Sequence, residues 1–119
     1  MNEGVVNELQ RFRLIVEHSS NMVVITDAQR RIEYVNPAYT RVTGWTLDEA
    51  RGQKPGRLLH GPLTDAEAIR QMSQALNREE PIDGVEVVNY RKDGEPFWVR
   101  LHIRPVRNEL GQLTHFVAI

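Results

Sequence analysis

The chain contains no cysteine, which removes disulfide staples, thiolate metal sites, thiol nucleophiles and any cysteinyl link to a cofactor. Long apolar runs are also missing. The longest, such as Met22 to Ile25, are four residues, against the ~20 that a membrane-spanning helix needs, and the N-terminus has no signal-peptide core. No charge of one sign dominates: 15 basic and 16 acidic residues leave a net charge of -1. No basic run could track a phosphate backbone, so neither nucleic acid nor a membrane surface is an expected partner. A nucleophile with its base, or a pair of carboxylates in distinct surroundings, is not evident either, so this segment is not expected to be an enzyme. Asp27, Asp65 and Asp93 have turn or helix-start explanations, and Asp48 and Glu49 suit the first turn of a helix. These absences describe a single cytoplasmic domain of 119 residues with one site at most.

What the chain does have is a patterned C-terminal third. Two alternating apolar segments from Val87 to Val106 flank the turn signal Lys92-Asp93-Gly94, the mark of a long β-hairpin. A three-residue turn with Gly94 left-handed places Val87, Asn89, Val99, Leu101 and Ile103 on one face. A two-residue turn would instead set Asn89 opposite Trp98. A second turn signal, Asn108 to Gly111, leads to Leu113–Ile119 and a three-stranded meander. Setting Arg107 opposite Gln112 pairs Ile103 with Phe116 and Leu101 with Ala118. Trp98, Arg100, His102, Arg104, His115 and Val117 then share the outer face.

Upstream, Val5, Leu9, Phe12 and Val16 recur at helical spacing, predicting an amphipathic helix within residues 1–20 and a core domain over 21–119. The helical stripe is expected to cover the outer sheet face, with Trp98 beneath it, or to meet a second copy of itself. Met22–Thr26 and Arg31–Val35 form a first hairpin around Asp27–Arg30. Asn36-Pro37 starts a short helix that Gly44 ends. Thr46-Leu-Asp-Glu49 and Thr64-Asp-Ala-Glu67 each fit a capping box. The second opens a longer helix whose Ile69, Met72, Ser73 and Leu76 form one face, with Pro81 barring its extension. Segregated strands around a helical middle predict an antiparallel α+β domain, with a pocket under the helices.

Across nearly its whole length the chain resembles the PAS (Per-Arnt-Sim) sensory domain family. The resemblance rests on Val24–Asp27, Ile32–Tyr39, Thr43–Thr46, Asp48–Gly52, Asn89–Gly94 and Thr114–Ile119, each weak alone but in the family's order. It implies a five-stranded sheet in order 2-1-5-4-3, short helices on one face and an N-terminal helix on the other. Leu58–Asp65 and Asn89–Trp98 are most similar to the light-oxygen-voltage branch, which binds a flavin (FAD or FMN). In that alignment Gly56 stands at the photoreactive cysteine, Pro55 at the asparagine beside it, His60 at a glutamine and Val99 at a second ring-binding asparagine. No photochemical cysteinyl adduct can form here. Sequences with Lys-Pro-Gly before this loop resemble PAS modules of histidine kinases and cyclic-dinucleotide enzymes, which implies an effector domain in cis and a natural chain that continues past Ile119.

Asn89 is the leading candidate contact, because an inward amide offers a planar heterocycle both a donor and an acceptor. The alternative is an asparagine satisfied by backbone or water. Thr26 and Asn36 could add polar contacts, although Asn36 already serves as a helix cap. His60, Val99 and Leu101 complete the candidate cofactor set. A lone histidine could also hold haem iron, but in haem-binding PAS domains the proximal histidine tends to come from the helix matching Asp65–Leu76, which has none, so haem is disfavoured. His102 and His115 are expected to pack across strands and, without a third ligand, to bind no metal. Tyr39 and Trp45 are expected in the core. The chain is thus expected to be a sensory or relay module without a tightly held cofactor, with a non-covalent flavin sensor as the alternative. A homodimer through Leu9, Phe12, Val16 and the outer sheet face is the expected assembly.

Overall fold

A computed structural model of the chain describes residues 3–119, with side chains from Gln10 onward. Its elements run α1 (Glu3–His18), β1 (Val24–Asp27), β2 (Ile32–Val35), α2 (Pro37–Thr43), α3 (Leu47–Ala50), α4 (Pro55–Leu59), α5 (Ala66–Asn77), β3 (Ile82–Tyr90), β4 (Pro96–Arg107) and β5 (Leu113–Ala118). The strands form one antiparallel sheet in order β2-β1-β5-β4-β3. No described helix is long and apolar enough to cross a membrane.

The β3–β4 hairpin turns on three residues, with the Arg91 N–H donating to the Glu95 carbonyl at 2.9 Å and Gly94 at φ 93°. Only a residue without Cβ adopts that conformation cheaply. The resulting register pairs Asn89 with Phe97 and Val87 with Val99, so Asn89 and the valines face inward. A bulge between Asp83 and Val85 then brings Ile82 opposite Ile103. Gly84 makes it possible: its φ is +71°, and a Cβ there would lie 2.9 Å from the Arg100 guanidinium.

The second hairpin departs from the expected register. Asn108, not Arg107, pairs with Gln112, and a bulge between Val106 and Arg107 leaves Thr114 unpaired, so Ile103 faces Ala118 and Pro105 faces Phe116. The two-residue shift preserves which face is apolar. It does separate the two histidines: His102 bonds the backbone of Ile119, whereas His115 pairs with Val106 and sets its Nε2 3.2 Å from Glu33 Oε2.

Asn36 caps α2, where Pro37 is the first residue and Gly44, at φ 84°, closes the helix. Thr46 and Glu49 form the expected capping box on α3. The box expected at Thr64 does not form. Helix α5 starts one residue later, on Asp65, because Thr64 is buried with its hydroxyl donating to the Val88 carbonyl at 2.7 Å and accepting from the Gly61 N–H at 3.0 Å. Ordered backbone of an adjoining strand outcompetes a helix end for that oxygen. Tyr39, with Trp45 against it, belongs to a core formed with Ile32, Val35 and Leu59, while Met72, Ile82, Val87 and Val99 form a second.

Helix α1 does not cover the sheet as expected. Trp98 is 71% exposed, and Phe12 and Ile15 on α1 are 61% and 69% exposed. The end of α1 is held instead against the start of α2, where Asn36 Nδ2 donates to the Val16 carbonyl at 3.0 Å. Val16 is half-buried; the Val5 and Leu9 side chains lie outside the described residues.

Candidate functional site

A cavity of about 650 Å³ lies between the inner sheet face and α4 and α5. Its floor is Val24, Thr26, Asn89, Leu101, Ile103, Phe116 and Ala118, and the α5 face Ile69, Met72, Ser73 and Leu76 forms the opposite wall. Helix α4 closes one side through Pro55, Gly56, Leu59 and His60. This five-residue helix carried little signal in the sequence: its N-cap, Lys54, makes no side-chain cap, and Pro55 at its first turn is the only boundary mark. Arg30, Arg31, Lys54 and Arg57 line the cavity's exposed side, and none of its lining residues is a carboxylate. Sequence reasoning missed this cationic rim, because two segments distant in sequence, the β1–β2 turn and α4 with its N-cap, supply it.

Asn89 carries the most telling atom. It is 4% exposed, and its Oδ1 has no hydrogen-bond partner. A buried acceptor left bare costs about 1–3 kcal/mol, and its residue lines the wall of an open cavity. Thr26 also lines the cavity, its hydroxyl turned onto the Asp27 carbonyl at 2.9 Å.

Of the candidate residues, Thr26, His60, Asn89 and Leu101 line this cavity, whereas Asn36 and Val99 do not. Val99 packs among Met72, Ile82 and Val87. Asn36 is fully buried and fully used: Oδ1 accepts from the N–H groups of Val23 (2.9 Å) and Tyr39 (3.1 Å), and Nδ2 donates to the carbonyls of Val16 (3.0 Å) and Asn21 (2.9 Å). Its amide clamps the end of α1, the segment leading into β1 and the start of α2 together and has nothing left for a ligand.

His60 ends α4, its N–H donating to the Gly56 carbonyl at 2.9 Å. Its ring lies on the bare Cα of Gly56, so closely that a Cβ at residue 56 would come within 2.6 Å of it. Burial pushes the imidazole pKa below its usual value.

The sequence profile of the PAS fold matches residues 10–119. The chain belongs to the PAS family. This PAS domain is 41% identical over 110 residues to a blue-light-activated histidine kinase of Brucella canis, and 39% identical over 114 residues to one of Brucella anthropi. Those matches take in 90% and 93% of the PAS domain but 22% and 23% of the kinases, so it spans less than a quarter of these relatives. Among solved structures it superposes on the light-oxygen-voltage domain of the blue-light photoreceptor Aureochrome1 in its dark state with a TM-score of 0.78 at 28% identity, covering 100% of this chain and 82% of that one. An RNA-binding light-oxygen-voltage receptor shares the fold, with a TM-score of 0.84 at 24% identity over 99% of this chain and 33% of that one.

Proposed function

We propose that this PAS domain is the sensory module of a larger signalling protein of the histidine kinase type, and that its cavity holds a flavin nucleotide without a covalent link. The observation that carries the reading is the Asn89 amide, 4% exposed in the cavity wall and with its Oδ1 unpartnered, a group that can meet the donor and acceptor edge of a flavin ring. Three further features support it. A cavity of about 650 Å³ suits a ligand of that size. Leu101, Ile103, Met72 and Phe116 give a planar ring apolar walls that exclude water. Arg30, Arg31, Lys54 and Arg57, with no carboxylate beside them in the lining, suit an anionic tail. The names of the Brucella relatives agree with the class of sensor.

A bound flavin supplies visible absorbance and redox chemistry. The chain's own part is to hydrogen-bond the ring edge through the Asn89 amide, to orient the ring between β3 and α5, and to neutralise the tail. With no cysteine in the chain and glycine at residue 56, light cannot drive a bond to this protein. Signalling then proceeds by repacking of strand and helix around the ring.

Titration of the protein with FMN, followed by quenching of flavin fluorescence, tests the reading. Saturable uptake is expected, weakened about tenfold or more by Asn89→Leu, the loss of one buried hydrogen bond to the ligand. No uptake would favour the second reading, a relay module without a resident cofactor, which the burial of Val99 in the core supports.

A further inference from the structure

Helix α4 brings its first turn and its C-cap to one spot on the cavity wall. Gly56 has no side chain, and the His60 imidazole occupies the space one would need: a Cβ at residue 56 would stand 2.6 Å from His60 Cε1 and 2.7 Å from Nδ1. Both residues line the cavity. Residue 56 therefore dictates where the imidazole can be, and contacts this short leave no room for adjustment by a few tenths of an ångström.

The surroundings fix which form of the imidazole is tolerated. Lys54 and Arg57 flank it from α4 and its approach, and Arg30 and Arg31 face the same cavity from the β1–β2 turn. The polar groups opposite, Asn89 on β3 and Ser73 on α5, are uncharged, and no carboxylate lines the cavity. A protonated imidazole here would add a fifth positive charge in a half-buried position, and a ring entering the cavity would strip away the water that screens it. The neutral imidazole, one donor and one acceptor, is compatible with a bound heterocycle.

We infer that Gly56 and His60 act as one ligand-recognition unit, in which the bare glycine seats a neutral imidazole against the bound ring and protonation of that imidazole releases the ligand. Gly56 is the positioning residue and His60 the contact. The inference rests on the flavin reading above and adds the proton as a second input to the same site.

Riboflavin is the probe, since it has the ring but no phosphate to titrate. Its affinity is measured by fluorescence quenching at pH values from about 7 down to about 5, the range in which histidine changes charge. The native protein should bind several-fold more weakly at the acid end, with a slope that cannot exceed tenfold per pH unit for one linked proton. His60→Gln, which keeps a donor and an acceptor without a titrating group, should lose the slope between the neutral and the acid end. Gly56→Ala should weaken binding about tenfold at neutral pH by unseating the ring. Thermal melting of each variant at each pH separates these effects from unfolding. An equal slope in native protein and His60→Gln, or full affinity in Gly56→Ala, overturns the inference while leaving the flavin reading intact. A failure of folded native protein to bind either riboflavin or FMN at any pH overturns both.

Discussion

Two asparagines show how the same side chain reaches opposite ends. Asn36 and Asn89 are both buried, but Asn36 makes four hydrogen bonds to backbone groups of α1, α2 and the α1–β1 linker, whereas Asn89 Oδ1 makes none. Asn36→Ala should therefore cost about 3 kcal/mol, the loss of a helix cap together with buried backbone groups left unpaired. Urea unfolding of the isolated domain measures it. Asn89→Leu should leave the ligand-free domain as stable or more so, because it removes a bare buried acceptor at similar volume, while ligand uptake falls. Tyr39 presents a third case. It is 1% exposed, its hydroxyl has no partner, and burial pushes its pKa up to about 12 from an ordinary 10.0. The folded state thus holds its proton longer than the unfolded one. That contribution to stability is complete below pH 10 and drains away as pH rises through about 12. Tyr39→Phe should remove this part of the alkaline sensitivity, seen as a smaller fall in urea midpoint between neutral pH and pH 11 than in the native protein.

At the level of elements, the parts of the chain governed by local chemistry were legible. Lys92-Asp93-Gly94 specified its own turn, Asn36-Pro37 and Gly44 bounded α2, and the Thr46 capping box formed as its spacing implies. Long-range competition was not legible. Thr64 has capping-box spacing to Glu67, but the strand carbonyl of Val88, 24 residues away, takes its hydroxyl. The bulges at Gly84 and Thr114 depend on how two strands curl together; Gly84 permits the first but does not by itself announce it. The inward amide of Asn89 followed from the hairpin register, whereas the cationic rim and the Gly56–His60 contact required the tertiary fold. One such long-range tie joins the site to its surroundings. The Val88 carbonyl accepts from Thr64 at 2.7 Å, and the Tyr90 hydroxyl accepts from the Leu63 N–H at 2.8 Å. These two residues flank Asn89, so β3 holds the α4–α5 loop beside the very position that meets the cavity. Thr64→Val, which keeps shape but removes the hydroxyl, should destabilise the domain by about 1–2 kcal/mol in urea unfolding, since it bares the Gly61 N–H and the Val88 carbonyl.

The whole molecule presents two apolar surfaces that the described residues do not cover. Phe12 and Ile15 on α1 and Trp98 on the outer sheet face are all more than half exposed. Our proposal for the assembly is a homodimer in which α1 and this sheet face are covered by the partner copy, with Leu9, Phe12 and Val16 in the contact. Leu9→Asp with Phe12→Asp should give a monomer by sedimentation, and an unchanged mass would refute this interface. A dimer tied to α1, itself anchored by Asn36, would let repacking around the cavity alter how two copies are held. The proposed sensory function requires a ligand in the cavity. The most direct test is the visible absorbance spectrum of freshly purified protein, recorded before and after heat release of any bound compound. A flavin band that appears in the supernatant as free, unmodified flavin after denaturation is the expected result. A colourless protein that also stays colourless after incubation with FMN would contradict it.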